Sequence, residues 1–287
     1  MLRIAAACLL LAACASALPA SGGSEGRARP AALGSTYKIY SSVYGERREI
    51  NIYVPDAEWA EKPLPVVYVV DGGLDQDYFH IAGLSQLTLI NGERQPAIIV
   101  GVRTNDRSKE IVRPADDRRY AEEFGSGGIE EFTRFLIDEV IPFAEAQVPA
   151  GRRALMGESL AGLFVLELAL HRPEAFDDWI SVSPSLWWDD RRLAQNAPDL
   201  LTAAVFEDDR LYLTMGDEGG TMQQGLDEIG AALETQRPQG LAWTYVDRRD
   251  DESHATIYHG AARDAFQWLY GLPPYPQGEM PWWLSPE

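Results

Sequence analysis

The sequence holds only two cysteines, Cys8 and Cys14, and both fall within the first fourteen of its 287 residues. Nothing downstream can form a disulfide, a thiolate metal site or a cysteine nucleophile, so three chemistries drop out together. Basic side chains are also scarce, 25 Lys and Arg against 44 Asp and Glu. Nucleic acids and anionic lipid headgroups are held by Lys and Arg, so this balance argues against a nucleic-acid partner and against a membrane surface bound through charge. Histidine is limited to four positions, His80, His171, His254 and His259, and no convincing metal-ligand cluster emerges; no metal or other cofactor is expected.

Ile4 to Ala13, after Arg3, is an apolar run of ten residues. Such a run is too short to span a bilayer and suits the core of a signal peptide. It ends Leu11-Ala12-Ala13-Cys14, which resembles the bacterial lipoprotein signal, in which the cysteine is lipidated and becomes the new N-terminus. Ala15-Ser16-Ala17 offers a competing cleavage site that would release a soluble exported protein. The expected organisation is a signal peptide over residues 1–13, a flexible Ala-, Ser-, Gly- and Pro-rich tether over 14–34, one domain over 35–272 and a tail over 273–287 containing Trp282 and Trp283. The expected location is the bacterial cell envelope or periplasm, with membrane contact only through a lipid on Cys14.

With 46% hydrophobic residues the chain can bury one sizeable core. From Ser35 the pattern alternates strands and helices, which predicts a mostly parallel sheet covered on both faces, an α/β fold. Tyr37 to Tyr44 and Glu49 to Val54 read as an antiparallel hairpin around Gly45-Glu46. Leu64 to Val70 and Ala97 to Val102 are continuous apolar runs suited to central strands, and Arg153 to Met156, Trp179 to Val182, Leu211 to Met215 and Leu241 to Val246 continue the series. Helices are expected over Tyr78 to Leu89, Ile129 to Val148 with a kink at Pro142, Leu160 to Leu170 and Gly260 to Tyr270.

The strongest local motif is Gly157-Glu158-Ser159-Leu160-Ala161-Gly162, placed between a strand and an apolar helix. A nucleophile elbow needs a tight strand-to-helix turn that lifts a serine hydroxyl out of the sheet, with small residues around it. Here Ala161 stands at the usual second glycine, and Gly162 follows. The short motif is also compatible with an ordinary turn. A serine hydroxyl needs a base to take its proton and an acid to orient that base, in the chain order serine, acid, histidine for α/β hydrolases. His254 is the preferred base, since its rival His259 falls at the start of the last helix. The acid belongs in the loop Gly216-Asp217-Glu218-Gly219-Gly220, where Glu218 is chosen over Asp217 by a narrow margin; Asp251 and Glu252 directly precede the histidine and fit less well. The oxyanion donors are expected to be the amides of Leu160 and of Gly73 in Asp71-Gly72-Gly73.

With these residues in place the chain resembles the putative-esterase family of α/β hydrolases, over roughly Tyr37 to Leu272. The matching stretches are Val67-Tyr68-Val69-Val70-Asp71-Gly72, the elbow, Ser183-Pro184-Ser185-Leu186-Trp187-Trp188, Gly216-Asp217-Glu218-Gly219 and the His254 segment. The family includes siderophore esterases, S-formylglutathione hydrolases, feruloyl esterases and mycolyltransferases. The resemblance implies an α/β-hydrolase fold, a small-molecule ester substrate, Ser159 as nucleophile, His254 as base and Glu218 as acid. It also implies that Trp187 and Trp188 border the acyl pocket and that Arg103 to Arg113, including Arg107, form a rim loop. Those arginines either bind an anionic group or pair with Asp106, Glu110 and Asp116. A siderophore ester is the substrate closest in character. A non-catalytic ligand-binding lipoprotein on a hydrolase scaffold, an acyltransferase and a thioesterase are the alternatives.

Overall fold

The computed structural model describes residues 31–125 and 127–272. The expected signal peptide, Cys14, most of the tether and the tail from Pro273 lie outside them. The described residues build an eight-stranded sheet from β1 (Ser35–Ser41), β2 (Glu46–Tyr53), β3 (Val66–Val70), β4 (Ile98–Val102), β5 (Arg153–Glu158), β6 (Asp178–Val182), β7 (Asp209–Met215) and β8 (Leu241–Asp247), in the order β1-β2-β4-β3-β5-β6-β7-β8. β1, β2 and β4 pair antiparallel, and every pairing from β4 onward is parallel. This is the α/β-hydrolase arrangement expected.

The central strands read as unbroken apolar runs because helices cover both faces. In β3, Val66, Tyr68 and Val70 join the core on one face, while Val67 and Val69 join the core on the other. The first face is covered by Leu160–His171, Arg192–Ala203 and Gly220–Gln236, with the segment that begins at Ile129; the second by Tyr78–Asn91 and Ile257–Tyr270. Leu160–His171 is buried from Ala161 through Leu170, which explains why it shows an apolar block rather than an apolar stripe. Glu167, inside that block, is met by Arg113 Nε at 2.6 Å.

Three expectations need adjustment. The stretch Ile129 to Val148 forms α-helix over Ile129–Arg134, π-helix over Phe135–Val140 and α-helix again over Ile141–Gln147. Pro142 supplies no amide and crowds the preceding turn, and the irregularity takes the form of that π-helical stretch just before it. The last helix starts at Ile257 instead of Gly260. Arg192–Ala203 and Gly220–Gln236 are two further helices that the strand-and-turn reading passed over.

The opposite end of the sheet from the elbow is tied by one buried carboxylate. Asp178, at the start of β6 and 0% exposed, receives Arg152 Nη2 at 2.9 Å and Arg210 Nε and Nη2 at 2.7 Å each, with the Tyr270 hydroxyl at 3.4 Å. These contacts join the turn before β5, strands β6 and β7 and the final helix. Removing one partner of such a pair leaves charges without compensation. Asp178→Ala is therefore expected to lower unfolding free energy by about 3–5 kcal/mol. In urea denaturation this reads as a lower midpoint with an unchanged slope; an unchanged midpoint would refute the role of Asp178 as the tie.

Candidate active site

Strands β3, β5 and β6 are each followed at once by a residue other than glycine with positive φ, Asp71 at 60°, Ser159 at 62° and Ser183 at 41°. Their side chains are thereby turned out of the sheet at its carboxyl edge, where ligands of open α/β sheets bind. Ser159 (φ 62°, ψ −120°) links β5 directly to Leu160–His171. Its amide donates to Val182 O at 3.0 Å, and its carbonyl accepts from Leu163 N at 2.9 Å and Ser185 N at 3.0 Å. A Cβ on Gly157 would stand 2.6 Å from the Ala161 backbone and Cβ, and one on Gly162 would stand 2.7 Å from Val182 O. Ala161 in place of the usual glycine is thus accommodated because Gly157 is bare.

His254 lies in the turn between β8 and the final helix, and Glu218 in the loop after β7. The two loops pack closely: Asp217 N donates to Glu252 O at 2.7 Å, and a Cβ on Gly216 would meet the same oxygen at 2.7 Å. His254 Nδ1 stands 2.9 Å from Glu218 Oε2, the carboxylate side chain being only 4% exposed. The distance is that of a hydrogen bond, while neither carboxylate oxygen is met in line by a donor, a looseness common before substrate binds. Asp217 is exposed and contributes its backbone; Glu252 pairs with Arg248 at 2.6 Å. His259 sits inside the last helix beside His80, ring centroids 5.0 Å apart.

Ser159 Oγ bonds to Ser185 Oγ at 3.2 Å and, among the described residues, not to His254. Leu160, as the first helical residue, carries an amide without an intrahelical acceptor. The Gly73 amide is engaged: it donates to Gln76 Oε1 at 2.9 Å, and Gln76 Nε2 in turn bonds to Thr104 O and Oγ1 at 3.1 Å each. Gly73 is available to an oxyanion only if Gln76 turns away.

The tryptophan pair is divided. Trp188 is 3% exposed and donates its indole N–H to Arg113 O at 3.0 Å, so it packs the core and offers a substrate nothing. Trp187 is partly exposed, stacked by Tyr120 at 6.1 Å with planes 18° apart and flanked by Phe124 at 5.1 Å. Both partners come from the short helix Arg118–Phe124, and the Tyr120 hydroxyl donates to Trp187 O at 3.1 Å.

The rim arginines are paired, though not with the carboxylates expected. Arg103 pairs with Asp75, Arg113 with Glu167 and Glu130, and Arg107 Nη2 with Asp71 Oδ2 at 2.7 Å while also donating to Glu158 O at 3.1 Å. Asp106 is taken by Lys109, Glu110 by Arg48 and Asp116 by Arg192. Arg107 therefore bridges the ends of β3 and β5.

Two carboxyls that sequence reasoning passed over surround this bridge. Burial, reinforced by the charge of Asp77, pushes Glu158 up to about 7, with His254 and Arg107 pulling it down. Burial and the charge of Asp71 push Asp77 up to about 6. His254 is raised above its ordinary value, first by the Glu218 carboxylate in contact with Nδ1 and then by the charge of Glu158, against burial and Arg107. Glu158 was visible as the residue before the serine, but burial and proximity to a histidine 96 positions away have no local signal. Among the described residues no group of three or more His, Cys, Asp or Glu is arranged to hold a metal ion.

The model of the family described as "Putative esterase" matches residues 41–268. The chain is 29% identical over 182 residues to the ferri-bacillibactin esterase BesA of Bacillus subtilis, covering 54% of this chain and 60% of that protein. It is 38% identical over 83 residues to the siderophore enterobactin esterase of Emericella nidulans, covering 28% and 27%. These alignments thus reach across less than two thirds of either relative. Among solved structures, the BES protein of Bacillus cereus superposes with a TM-score of 0.75 at 22% identity, covering 87% of this chain and all of that one. The siderophore hydrolase EstA of Aspergillus nidulans gives 0.70 at 20%, covering 87% and 98%; at these identities the likeness is one of fold. On a match that takes in the whole sheet but for the first strand, the elbow and both facing loops, this chain belongs to the putative-esterase family.

Proposed function

We propose that the chain is a serine esterase that hydrolyses a small-molecule carboxylic ester, of the siderophore type that its relatives' names describe, through an acyl-enzyme on Ser159. The observation that carries this reading is the pairing of His254 Nδ1 with the buried Glu218 carboxylate at 2.9 Å, on two loops that converge at the carboxyl edge bearing the strained Ser159. The pairing fixes the imidazole so that Nε2 is free to take a proton. His254 removes the Ser159 proton as Oγ attacks the acyl carbon and returns it to the leaving alcohol; a water then repeats the sequence on the acyl-enzyme. The Leu160 amide, with that of Gly73 once Gln76 is displaced, supports the oxyanion. Trp187 and Phe124 offer an apolar wall, and Arg107 a cation at the rim.

Ser159→Ala is expected to abolish fluorophosphonate labelling and nearly all ester hydrolysis, leaving at most about 10³-fold acceleration over water. Glu218→Gln keeps the shape but removes the charge that supports the imidazolium, and is expected to lower kcat by up to about 10⁴-fold, with Asp217→Asn far milder. The reverse ranking in folded variants would move the acid to Asp217.

The base must be neutral, and its folded pKa is raised, so activity should fall as pH drops through a midpoint above the free-histidine value of about 6.5. Glu158 contributes to that rise, so Glu158→Gln should move the acid limb of kcat/KM to lower pH. An unmoved or higher midpoint would refute the coupling.

We also propose export and lipid anchoring at Cys14, supported by Leu11-Ala12-Ala13-Cys14. Mass spectrometry of protein from the native host should find a modified N-terminal cysteine; an unmodified terminus at Leu18 would establish cleavage after Ala17 instead.

A further inference from the structure

Ser185 lies three residues beyond the end of β6, where the positive φ of Ser183 and then Pro184 turn the chain back over the elbow. Its amide donates to Ser159 O at 3.0 Å, and its Oγ stands 3.2 Å from Ser159 Oγ. The residue is 1% exposed, so its hydroxyl is shut off from bulk water, and Ser159 Oγ is its hydrogen-bond partner among the described residues. A buried hydroxyl without a partner is strongly disfavoured. Ser185 is therefore committed to the very atom proposed to react.

We propose that Ser185 is a second catalytic hydroxyl, donating a hydrogen bond to Ser159 Oγ while that oxygen attacks, and later leaves, the acyl carbon. The inference rests on the reading of Ser159 as nucleophile. At rest either hydroxyl can be the donor. When the Ser159 proton passes to His254 Nε2, Ser159 Oγ can only accept, and Ser185 holds the remaining proton between them. As Oγ bonds to the acyl carbon, the carbonyl electron pair moves to the oxyanion; on collapse the alcohol departs with the proton from His254. In deacylation a water gives its proton to His254 and its oxygen to the acyl carbon. The Oγ–acyl bond breaks, its electron pair stays on Oγ, and His254 returns the proton there. Ser185 gains and loses no proton in either half. Its hydrogen bond strengthens each time charge gathers on Oγ, because bonds to charged acceptors are roughly twice as strong as neutral ones.

The test compares Ser185→Ala, Ser185→Cys and Ser185→Thr with the unaltered protein, each confirmed folded by thermal unfolding. It follows the rate of fluorophosphonate labelling and the kinetics of p-nitrophenyl acetate hydrolysis. Loss of a charge-assisted donor predicts labelling rate and kcat about 10- to 100-fold lower in the Ala and Cys variants, with KM little changed. Threonine, which keeps the hydroxyl, should recover most of the loss. The label should remain on Ser159, and the acid midpoint of kcat/KM should stay where it is, since the His254–Glu218 pair is untouched. Unchanged labelling and kcat in folded Ser185→Ala would overturn the proposal. Equal losses in all three variants, or a shifted midpoint, would likewise overturn it by assigning Ser185 a structural role. Ser159→Ala separates the two readings: labelling that persists there removes the nucleophile assignment and this inference with it. Labelling abolished there, beside a fast Ser185→Ala protein, leaves the nucleophile standing and removes only Ser185.

Discussion

The site is organised by the backbone of Ser159, which occupies a region of φ and ψ that residues other than glycine avoid. Such a conformation persists only where the surroundings over-determine it. Here a hydrogen bond to Val182 O, carbonyl contacts to Leu163 N and Ser185 N, and two bare glycines that let helix and strand close up do so together. The same bonds tie the elbow to the end of β6. Ser185 and Trp187 follow from that attachment, so the apolar wall and the nucleophile proposed above share one anchor.

Charge is the second constraint. Asp71, Asp77, Glu158 and Glu218 converge where, among the described residues, Arg107 and His254 supply the compensating charge. Desolvated carboxylates this close cannot all stay ionised comfortably, which is why three of them, Asp71, Asp77 and Glu158, are pushed towards neutrality. The resulting field favours a protonated imidazole and so stabilises the imidazolium that a general-base step generates. It also makes Arg107 dual in character. Its bond to Asp71 and to Glu158 O holds two strand ends together, and a substrate anion would have to compete with Asp71 for the same guanidinium.

Most of the sheet was legible because its strands are short apolar runs bounded by turns, and β3 to β7 appear within a few residues of their expected limits. Two of the missed helices illustrate what such reading overlooks. Arg192–Ala203 carries Leu193, Ala194, Ala197 and Leu201 at helical spacing, yet Pro198 inside it breaks the usual expectation; in Gly220–Gln236 the spacing of Leu226, Ile229 and Leu233 was present, but the leading glycines read as loop. At the candidate site, order and context single out Ser159, Glu218 and His254 as candidates, and the structure sets Glu218 beside His254. Trp188 could not be separated from Trp187, because one is turned inward by an indole bond to a carbonyl 75 positions away. Ser185 on Ser159 and Asp77 near Glu158 bring together the ends of different strands, and no local pattern encodes them; Gln76 on Gly73 is a contact within the single loop after β3.

Three features of the resting site point the same way. The Gly73 amide is occupied by Gln76, the Ser159 hydroxyl is turned to Ser185 rather than to the imidazole, and the His254–Glu218 contact is short but off-line. For the proposed reaction each must change: an amide freed, the Ser159 proton redirected to the imidazole with Ser185 still bonded to Oγ, a bond straightened. None requires backbone rearrangement of the strained elbow, which is already set. The adjustments are side-chain rotations, and a substrate can drive them with binding energy gathered away from the reacting carbon. The partly exposed Trp187 and Phe124, carried by the β6 loop and the helix Arg118–Phe124, are the surfaces that can supply it. A minimal ester that reaches only the serine would leave that energy unused. On this geometry, discrimination between substrates should therefore appear in kcat as well as in KM, because the same contacts that hold the substrate also assemble the machinery that acts on it.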